Sequence, residues 1–425
     1  MLARDGSRRL KKFAEENEKQ EFRQITQGVW YVRGMGHSNA AFVEGRTGVI
    51  LIDTLDTLER GQKLAELIRR TTGKKVKTIL YTHSHPDHRG GAGAFAENEP
   101  EVIAFAPAKR AMEGTELLSD IQNLRGARQF GYALTGREAV TQGIGPREGI
   151  TCGEHRAFLP PTTVCRERSI VREIDGIRLE LALLPGEAED QMAVWLPQKA
   201  VLCCGDNYFG CFPNLYAIRG GEYRDISVWL RSLDALLAYP AQHLIPGHTP
   251  AISGREEVRR ALEGFRGAMA YILEAALKGM NEGKSAEHLA AEVKLPEKYA
   301  RLPYLQEYYG CAEWAVREIY AAYLGWFDGN PTNLHPLAPR RRAEKLLAMM
   351  GGEEKALAGA RSALQSGEYQ WCLELCDILL ASGTACGARQ LKADALEAIA
   401  EYETSANGRH YYIACAKELR SSAEK

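Results

Sequence analysis

A short segment that follows an apolar run carries the side chains best suited to bind metal ions. It reads Thr-His-Ser-His-Pro-Asp-His-Arg-Gly-Gly over residues 82–91 and brings His83, His85, Asp87 and His88 together within six residues. Imidazole nitrogen and carboxylate oxygen are common zinc ligands. In an extended loop His83 and His85 face one ion, and the next turn carries Asp87 and His88 towards a second. This ligand density favours a site for two metal ions over a merely polar loop.

Three further candidate ligands each follow a short apolar run later in the chain. Glu187 stands in Pro-Gly-Glu, Asp206 in Gly-Asp-Asn and His248 in Pro-Gly-His. Each carboxylate alone is also compatible with an ordinary surface position. Together with the histidine segment they supply the roughly six or seven groups that two zinc ions need. The expected ligand sets are His83, His85 and Glu187 for one zinc ion and Asp87, His88 and His248 for the other, with Asp206 as the bridge.

Two neighbouring divalent ions would make this a hydrolytic site. A water shared between them is acidified to a near-neutral pKa and becomes a nucleophile. Asp87 and Asp206 are therefore the predicted catalytic carboxylates. Asp53 ends an earlier apolar run, where it is either an acceptor for the second ring N–H of a ligand histidine or an ordinary strand-end aspartate. The remaining histidines, including His37 beside the predicted Ser38-Asn39 turn, are interpreted as structural.

The elements that must position these side chains are strands that alternate with helices. Short β-branched and apolar runs bounded by turn residues predict the strands, and apolar residues at a spacing of three or four predict the helices. The predicted strands are 28–33, 39–43, 49–54, 76–81, 177–184, 193–196, 200–204 and 243–245, and the predicted helices are 58–70 and 226–239. This order indicates an α/β fold with its chemistry at the strand ends.

Two regions depart from this alternation. Residues 108–166 combine a helix around 112–124 with segments rich in glycine and proline, which is typical of an insertion near an active site. Beyond about residue 255 helix formers dominate, and 356–380 resembles a tetratricopeptide-like helical hairpin. The predicted domains are a polar leader over 1–20, a catalytic domain over 21–258 and an all-α domain over 259–425.

The composition is that of an ordinary globular protein. The chain has 425 residues, an apolar fraction of 45% and a net charge of −1. No basic stripe interleaved with aromatics indicates a nucleic-acid partner. No segment reaches the roughly 18 uninterrupted apolar residues of a membrane span, and no signal peptide is evident. We therefore expect a cytoplasmic protein whose ten cysteines are mostly reduced and buried.

The motifs together resemble those of the metallo-β-lactamase superfamily. They are His-x-His-x-Asp-His at 83–88, Asp53 after its strand, Gly-Asp at 205–206 and Pro-Gly-His at 246–248. The resemblance implies an αββα sandwich that binds two metal ions. Most members carry histidine where this chain has Glu187. Glutamate there is typical of the alkyl sulfatases, which hydrolyse sulfate esters of alcohols such as dodecyl sulfate, and the likeness extends from about residue 39 to 420.

The same resemblance implies the substrate-binding residues and the assembly. Asn214 and Arg219 become the sulfate binders, and Arg224 is a candidate for a second contact with the anion. Arg219 offers a planar fork of donors to a tetrahedral oxyanion and Asn214 a neutral donor, although a surface salt bridge is the ordinary interpretation of a single arginine. The helical domain is expected to form a homodimer, with the aromatic residues at 308, 309, 323, 326 and 327 in its core or interface.

The chain departs from the alkyl sulfatase pattern in several respects, including the Pro-Gly-His-Thr-Pro setting of His248 and the insertion over 108–166, and two further departures bear on the bridge and the substrate. Asp206 stands where that family usually carries glutamate, which implies a tighter bridge. The sequence also ends at Lys425, where many members continue into a sterol-carrier-like domain that helps to collect aliphatic substrate. The preferred length of the alkyl chain is therefore open.

The predicted function is zinc-dependent hydrolysis of alkyl sulfate monoesters to inorganic sulfate and an alcohol. One alternative keeps both zinc ions and changes the substrate to another ester, a phosphodiester, a lactone or a lactam. A second alternative is a non-catalytic scaffold whose helical region recruits a partner. It leaves the many metal-ligand residues at strand ends without a purpose.

Overall fold

Two β-sheets form the amino-terminal part of the protein. The computed structural model describes residues 5–383 and 387–421. The first sheet consists of β1 (Glu21–Thr26), β2 (Val29–Arg33), β3 (Ala40–Glu44), β4 (Val49–Ile52), β5 (Val76–Leu80), β6 (Glu101–Phe105) and β7 (Thr163–Cys165). These strands lie in chain order across the sheet. Neighbours from β1 to β4 are antiparallel, whereas β4 to β7 are parallel.

The second sheet is assembled from the following strands. They are β8 (Ser169–Ile174), β9 (Ile177–Leu183), β10 (Met192–Leu196), β11 (Val201–Gly205), β12 (His243–Pro246) and β13 (Ile252–Ser253). Their spatial order is β13-β12-β11-β10-β9-β8. Only β11 and β12 pair in parallel among them. Their carboxyl ends therefore meet at one edge of the sheet.

Helices cover the outer faces of both sheets and form the carboxyl-terminal region. They are α1 (Gly6–Asn17), α2 (Leu58–Thr72), α3 (Pro86–Arg89), α4 (Ser119–Gln129), α5 (Ile226–Ala238), α6 (Arg255–Asn281), α7 (Ala286–Glu292), α8 (Glu297–Ala300), α9 (Ala312–Leu324), α10 (Pro339–Met350), α11 (Glu353–Ser366), α12 (Tyr369–Ser382), α13 (Ala388–Ala400) and α14 (Ala406–Ser421). Leu64 of α2 packs on the first sheet, and Trp229 of α5 packs on the second. Apolar residues such as Ile50 and Val194 fill the space between the sheets. The predicted αββα sandwich followed by a helical region is confirmed.

The helical region is continuous with the sandwich. Helix α6 begins at Arg255, so the predicted boundary between residues 258 and 259 falls inside it. Phe265 of α6 lies against Tyr208 and Trp229, with ring centroids 5.1 Å and 6.5 Å away. At the other end of the chain, α1 lies within the predicted leader and buries Leu10 and Phe13. Among the described residues, none of the helices has both the length and the apolar composition needed to cross a bilayer.

The insertion is more ordered than its sequence indicates. The helix expected around 112–124 is α4, which runs from Ser119 to Gln129. It begins later because Met112 and Leu117 are exposed and have no surface to pack on, whereas α4 packs on α14. The last part of the predicted insertion is strand β7. The predicted hairpin over 356–380 corresponds to α11 and α12, which share one apolar cluster.

The described cysteines carry free thiols, and most of them are buried. Cys152 is exposed. Cys386 lies outside the described residues.

Candidate metal centre

The histidine segment is anchored between the ends of two neighbouring parallel strands. Asp53 follows β4 and Thr82 follows β5. The backbone N–H of Thr82 donates to Asp53 Oδ1 at 2.8 Å, and its hydroxyl donates to Oδ2 at 2.7 Å. The chain then enters the short helix α3, with His85 at its N-cap position. This turn places His83, His85 and His88 on one side of the sheet edge.

The other predicted ligands arrive at the same place from the second sheet. Glu187 follows β9, Asp206 follows β11 and His248 follows β12. Asp206 Oδ2 lies 3.5 Å from His88 Nε2 and 3.3 Å from His248 Nε2. It also lies 3.7 Å from His83 Nε2. The structure thus brings all seven predicted ligands together, with Asp206 between the histidines.

The potential ligand atoms fall into three groups, each within 4.8 Å. The groups are His83, His88 and Asp206; His85, Glu187 and Asp206; and His37, Asp87 and His248. Asp206 alone belongs to two of them, as a bridging carboxylate would. The expected ligand sets placed His83 with His85, whereas these groups place His83 with His88. Nε2 of His83 nevertheless lies only 2.8 Å from Nδ1 of His85.

His37 was interpreted as structural, yet it borders the centre. Its Nδ1 lies 2.7 Å from the carbonyl oxygen of Pro146. Its ring is 5.1 Å from that of His248, and its own carbonyl lies 3.0 Å from His248 Nδ1. His37 therefore orients a predicted ligand through its backbone.

The hydrogen bonds of the histidines turn their free nitrogens towards the centre. Nδ1 of His88 lies 2.7 Å from Asp53 Oδ2, and Nδ1 of His248 lies 3.0 Å from the His37 carbonyl. These acceptors take the Nδ1 protons and leave Nε2 as the ligand atom on each ring. Both Nε2 atoms are buried and have no hydrogen-bond partner among the described residues, and the same holds for Oε2 of Glu187 and Oδ1 of Asp206. Buried acceptors without a donor cost free energy, and bound cations would satisfy them. The residues present therefore fit a metal site.

Burial and crowding shift the pKa values of these groups. Burial and the neighbouring histidines hold the pKa of His83 well below its ordinary value. Burial acts the same way on His88, but the nearby carboxylates, Asp206 foremost, outweigh it and raise its pKa well above the usual range. Burial raises the pKa of Glu187 to about 7, against the opposing effect of Arg224. Such mutual perturbation is typical of functional sites.

We predict that Asp53→Asn weakens metal binding by roughly 10- to 100-fold, the usual effect of losing a partner that orients a ligand histidine. Asp53 has a left-handed backbone with φ of 58°, which asparagine also tolerates. The substitution therefore changes the acceptor and not the turn. Competition with a chromogenic chelator measures the affinity. Glu99→Gln, at an exposed left-handed position, is the control, and an unchanged affinity in Asp53→Asn would contradict this role.

The predicted substrate-binding residues lie beside the candidate metal ligands, and each of them makes different contacts with its neighbours. Arg224 Nη1 donates to Glu187 Oε1 at 2.9 Å and also to the carbonyl of Asn214. It therefore holds Glu187 in place and leaves Oε2 free. Asn214 is buried, and no residue that the structure describes hydrogen-bonds to its Oδ1. Arg219 forms no salt bridge with a described residue; its Nη1 lies 3.4 Å from the Gly220 carbonyl.

A cavity of about 300 Å³ joins these groups. Predicted ligands line it together with Asn214, Arg219 and Arg224. Several lining residues were not predicted as site residues from the sequence, and Gln129 and Tyr309 are two of them. Gln129, at the end of α4, accepts the backbone N–H of Arg219 on Oε1 at 2.8 Å. Tyr309, whose aromatic cluster was expected in core or interface, is nearly buried and also forms part of the wall.

The fold and the site define a metal-dependent hydrolase of the metallo-β-lactamase type. The family model of the metallo-beta-lactamase superfamily matches residues 33–248, and that of alkyl sulfatase dimerisation matches residues 285–422. A linear primary-alkylsulfatase of Pseudomonas sp. (strain ATCC 19151) is 34% identical over 90% of this chain and 74% of its own length. The chain belongs to the alkylsulfatases of the metallo-β-lactamase superfamily.

Other similar proteins agree with this assignment. An (R)-specific secondary-alkylsulfatase of Pseudomonas sp. is 32% identical over 92% of this chain and 61% of its own length. A double mutant of the sec-alkyl sulfatase PisA1 superimposes with a TM-score of 0.87 at 31% identity, covering 97% of this chain and 67% of that one. The chain thus spans about two thirds of the length of several relatives.

Proposed function

We propose that this protein hydrolyses sulfate monoesters of alcohols and that His83, His85, Asp87, His88, Glu187, Asp206 and His248 hold two zinc ions for this reaction. The observation that supports the proposal most strongly is the shared cavity, which Arg219, Asn214 and several candidate ligands line together. In the described part of the chain, Arg219 has no salt bridge, and Oε2 of Glu187 and Nε2 of His248 have no hydrogen-bond partner. Imidazole and carboxylate ligands suit zinc. The closeness of Asp206 Oδ2 to three histidines supports it as the bridge.

Arg219 and Asn214 would bind the sulfate group. The guanidinium presents parallel N–H donors to two sulfate oxygens, and the amide adds a neutral donor. Burial and the nearby Arg224 lower the pKa of Arg219, so the two positive groups repel each other. A bound anion relieves that repulsion.

The remaining residues would orient the candidate metal ligands and balance the charge of the ions. When held by the candidate ligands, divalent ions would supply Lewis acidity and lower the pKa of water. Asp53 and the His37 carbonyl keep the Nδ1 protons of His88 and His248 away from the centre. Arg224 fixes the orientation of Glu187. Asp87 and Asp206 provide the negative charge that balances the ions.

The test measures inorganic sulfate released from short and long primary and secondary alkyl sulfates. We expect release that a chelator abolishes and zinc restores. A matched phosphodiester, lactone and lactam serve as competing substrates. Absence of sulfate release from every ester would overturn the substrate assignment, and a faster reaction with a competing substrate would replace it.

We further propose that the protein is a homodimer formed through its helical region. Exposed apolar side chains lie at the end of α9 and in the segment that follows it, inside the region that matches the dimerisation family. Exposed apolar surface of this kind commonly marks a protein interface. These side chains are Tyr323, Leu324, Trp326, Leu334 and Leu337.

We predict that Trp326→Ser combined with Leu324→Ser weakens dimerisation by at least about 30-fold, the effect of losing one interface hot spot. The two side chains are 76% and 53% exposed, so their replacement leaves the fold intact. Sedimentation equilibrium measures the dissociation constant. Met112→Ser, at an exposed position outside the helical region, is the control. An unchanged dissociation constant would place the interface elsewhere.

A further inference from the structure

We infer that the alcohol part of the substrate is short and hydroxylated, so that the preferred substrates are sulfate esters of small polyols rather than of long aliphatic alcohols. This inference rests on the proposed hydrolysis of sulfate esters and adds the class of alcohol. It comes from the wall that residues 119–156 contribute to the cavity containing the metal ligands.

Helix α4 turns polar side chains towards this cavity. Gln122, Asn123 and Gln129 line it. Gln122 and Gln129 are two turns apart and share one face of the helix, and Asn123 lies beside Gln122. Ile121 and Leu124 of the same helix do not line the cavity and are exposed at 48% and 44%. Apolar ligands bind in pockets lined mainly by hydrophobic side chains. Helix α4 thus directs polar side chains into the cavity and apolar side chains to the solvent, which is the reverse of what a site for a long alkyl chain requires.

An ion pair between a half-buried arginine and a buried glutamate forms another part of the wall. Arg156 donates to Glu148, which is only 4% exposed, and the hydroxyl of Tyr132 donates to Glu148 Oε2 at 3.2 Å. All three residues line the cavity. Covering charged groups with hydrocarbon removes their remaining contacts with water and returns no hydrogen bonds, which costs free energy. Hydroxyl groups of a substrate can replace those water contacts.

Gln129 adds a donor that lacks a partner. Its Oε1 accepts the backbone N–H of Arg219 at 2.8 Å, which fixes the orientation of the amide. Its Nε2 is buried and has no hydrogen-bond partner within residues 5–383 and 387–421, and the side chain is fully buried. An unsatisfied buried donor is costly. An oxygen atom of a polar substrate can accept from it, whereas a methylene group cannot.

The small volume of the cavity also favours a short alcohol. Its volume of about 300 Å³ lies at the lower end of the roughly 300–1,000 Å³ found for small-molecule sites, and the sulfate group must share it. Phe130, Ile144 and Tyr309 supply a small apolar surface. That surface matches the carbon atoms of a short alcohol.

The test compares kcat/KM for three esters by release of inorganic sulfate from the zinc-loaded protein. 2,3-Dihydroxypropyl sulfate is the polar probe, pentyl sulfate has an alcohol part with the same number of non-hydrogen atoms, and dodecyl sulfate is the long probe. We expect kcat/KM for the dihydroxypropyl ester to exceed that for the pentyl ester at least tenfold, since a site built for hydrogen bonds rejects an analogue that lacks them. Dodecyl sulfate should be the poorest of the three.

A pair of double variants tests the wall directly. Gln122→Leu with Asn123→Leu should shift the preference towards pentyl sulfate by about tenfold. Ile121→Gln with Leu124→Gln, on the exposed side of the same helix, should leave it unchanged. Equal or higher kcat/KM for the pentyl or dodecyl ester would overturn the inference and leave the proposed function standing. No sulfate release from any of the esters would overturn both.

Discussion

Arg219→Ala should lower kcat/KM for sulfate esters by about 10²–10³-fold while the protein keeps its metal ions. A donor aimed at charge that develops in the transition state is worth this much in a site that excludes water. Arg219 is free for this role because no described carboxylate forms a salt bridge with it, and it lines the cavity beside Arg224. Steady-state kinetics together with metal analysis measures both effects on the same preparation.

Two further variants sharpen this prediction. Arg219→Lys keeps the charge but loses the planar fork, so its activity should fall between that of the wild type and that of the alanine variant. Arg231→Ala removes an exposed arginine from α5 and should behave as the wild type. If Arg219→Ala hydrolysed sulfate esters at the wild-type rate, sulfate binding by this residue would be wrong.

Asp206→Asn should have the larger effect, because it replaces a carboxylate shared by two groups of candidate ligand atoms with a neutral amide. The side chain keeps its size but loses its negative charge. Lewis-acid assistance by bound ions is worth several kcal/mol, and a loss of about 4 kcal/mol corresponds to roughly 10³-fold in rate. We therefore expect activity to fall by at least this factor and metal content to drop below two ions per chain.

The control for Asp206 is another nearly buried aspartate near the histidine segment. Asp190 accepts from the hydroxyl of Ser84 at 3.2 Å and belongs to none of the ligand groups. Asp190→Asn should therefore retain its metal ions and most of its activity. Full metal content and full activity in Asp206→Asn would contradict the bridging role.

The clustering of the candidate ligands could be predicted because each of them is marked locally in the sequence. His83, His85 and His88 lie within a few residues, and Glu187 and His248 each follow a recognisable strand. Strands β4 and β5 pair in parallel, as do β11 and β12, and β9 runs in the same direction as β11 because both are antiparallel to β10. The residues that follow these strands therefore lie at the same edge of each sheet. The αββα arrangement follows from the same alternation of strands and helices.

The wall of the cavity could not be predicted in this way. Gln129 reaches it because α4 lies against α14, a packing between residues far apart in sequence. Tyr309 comes from the helical region, and Glu148 from a segment without periodicity. Arg224 was expected to contact the anion, but its hydrogen bond to Glu187 depends on a distance that no motif records. Long-range contacts of this kind leave no local pattern to recognise.

Zinc titration of chelator-treated protein tests the central claim most directly. The initial rate of sulfate release from an alkyl sulfate is followed as zinc is added back to the metal-free chain. The proposed centre predicts that activity is absent at first, rises with zinc and reaches its plateau at about two zinc ions per chain. Full activity in the metal-free protein, or no sulfate release at any zinc occupancy, would contradict it.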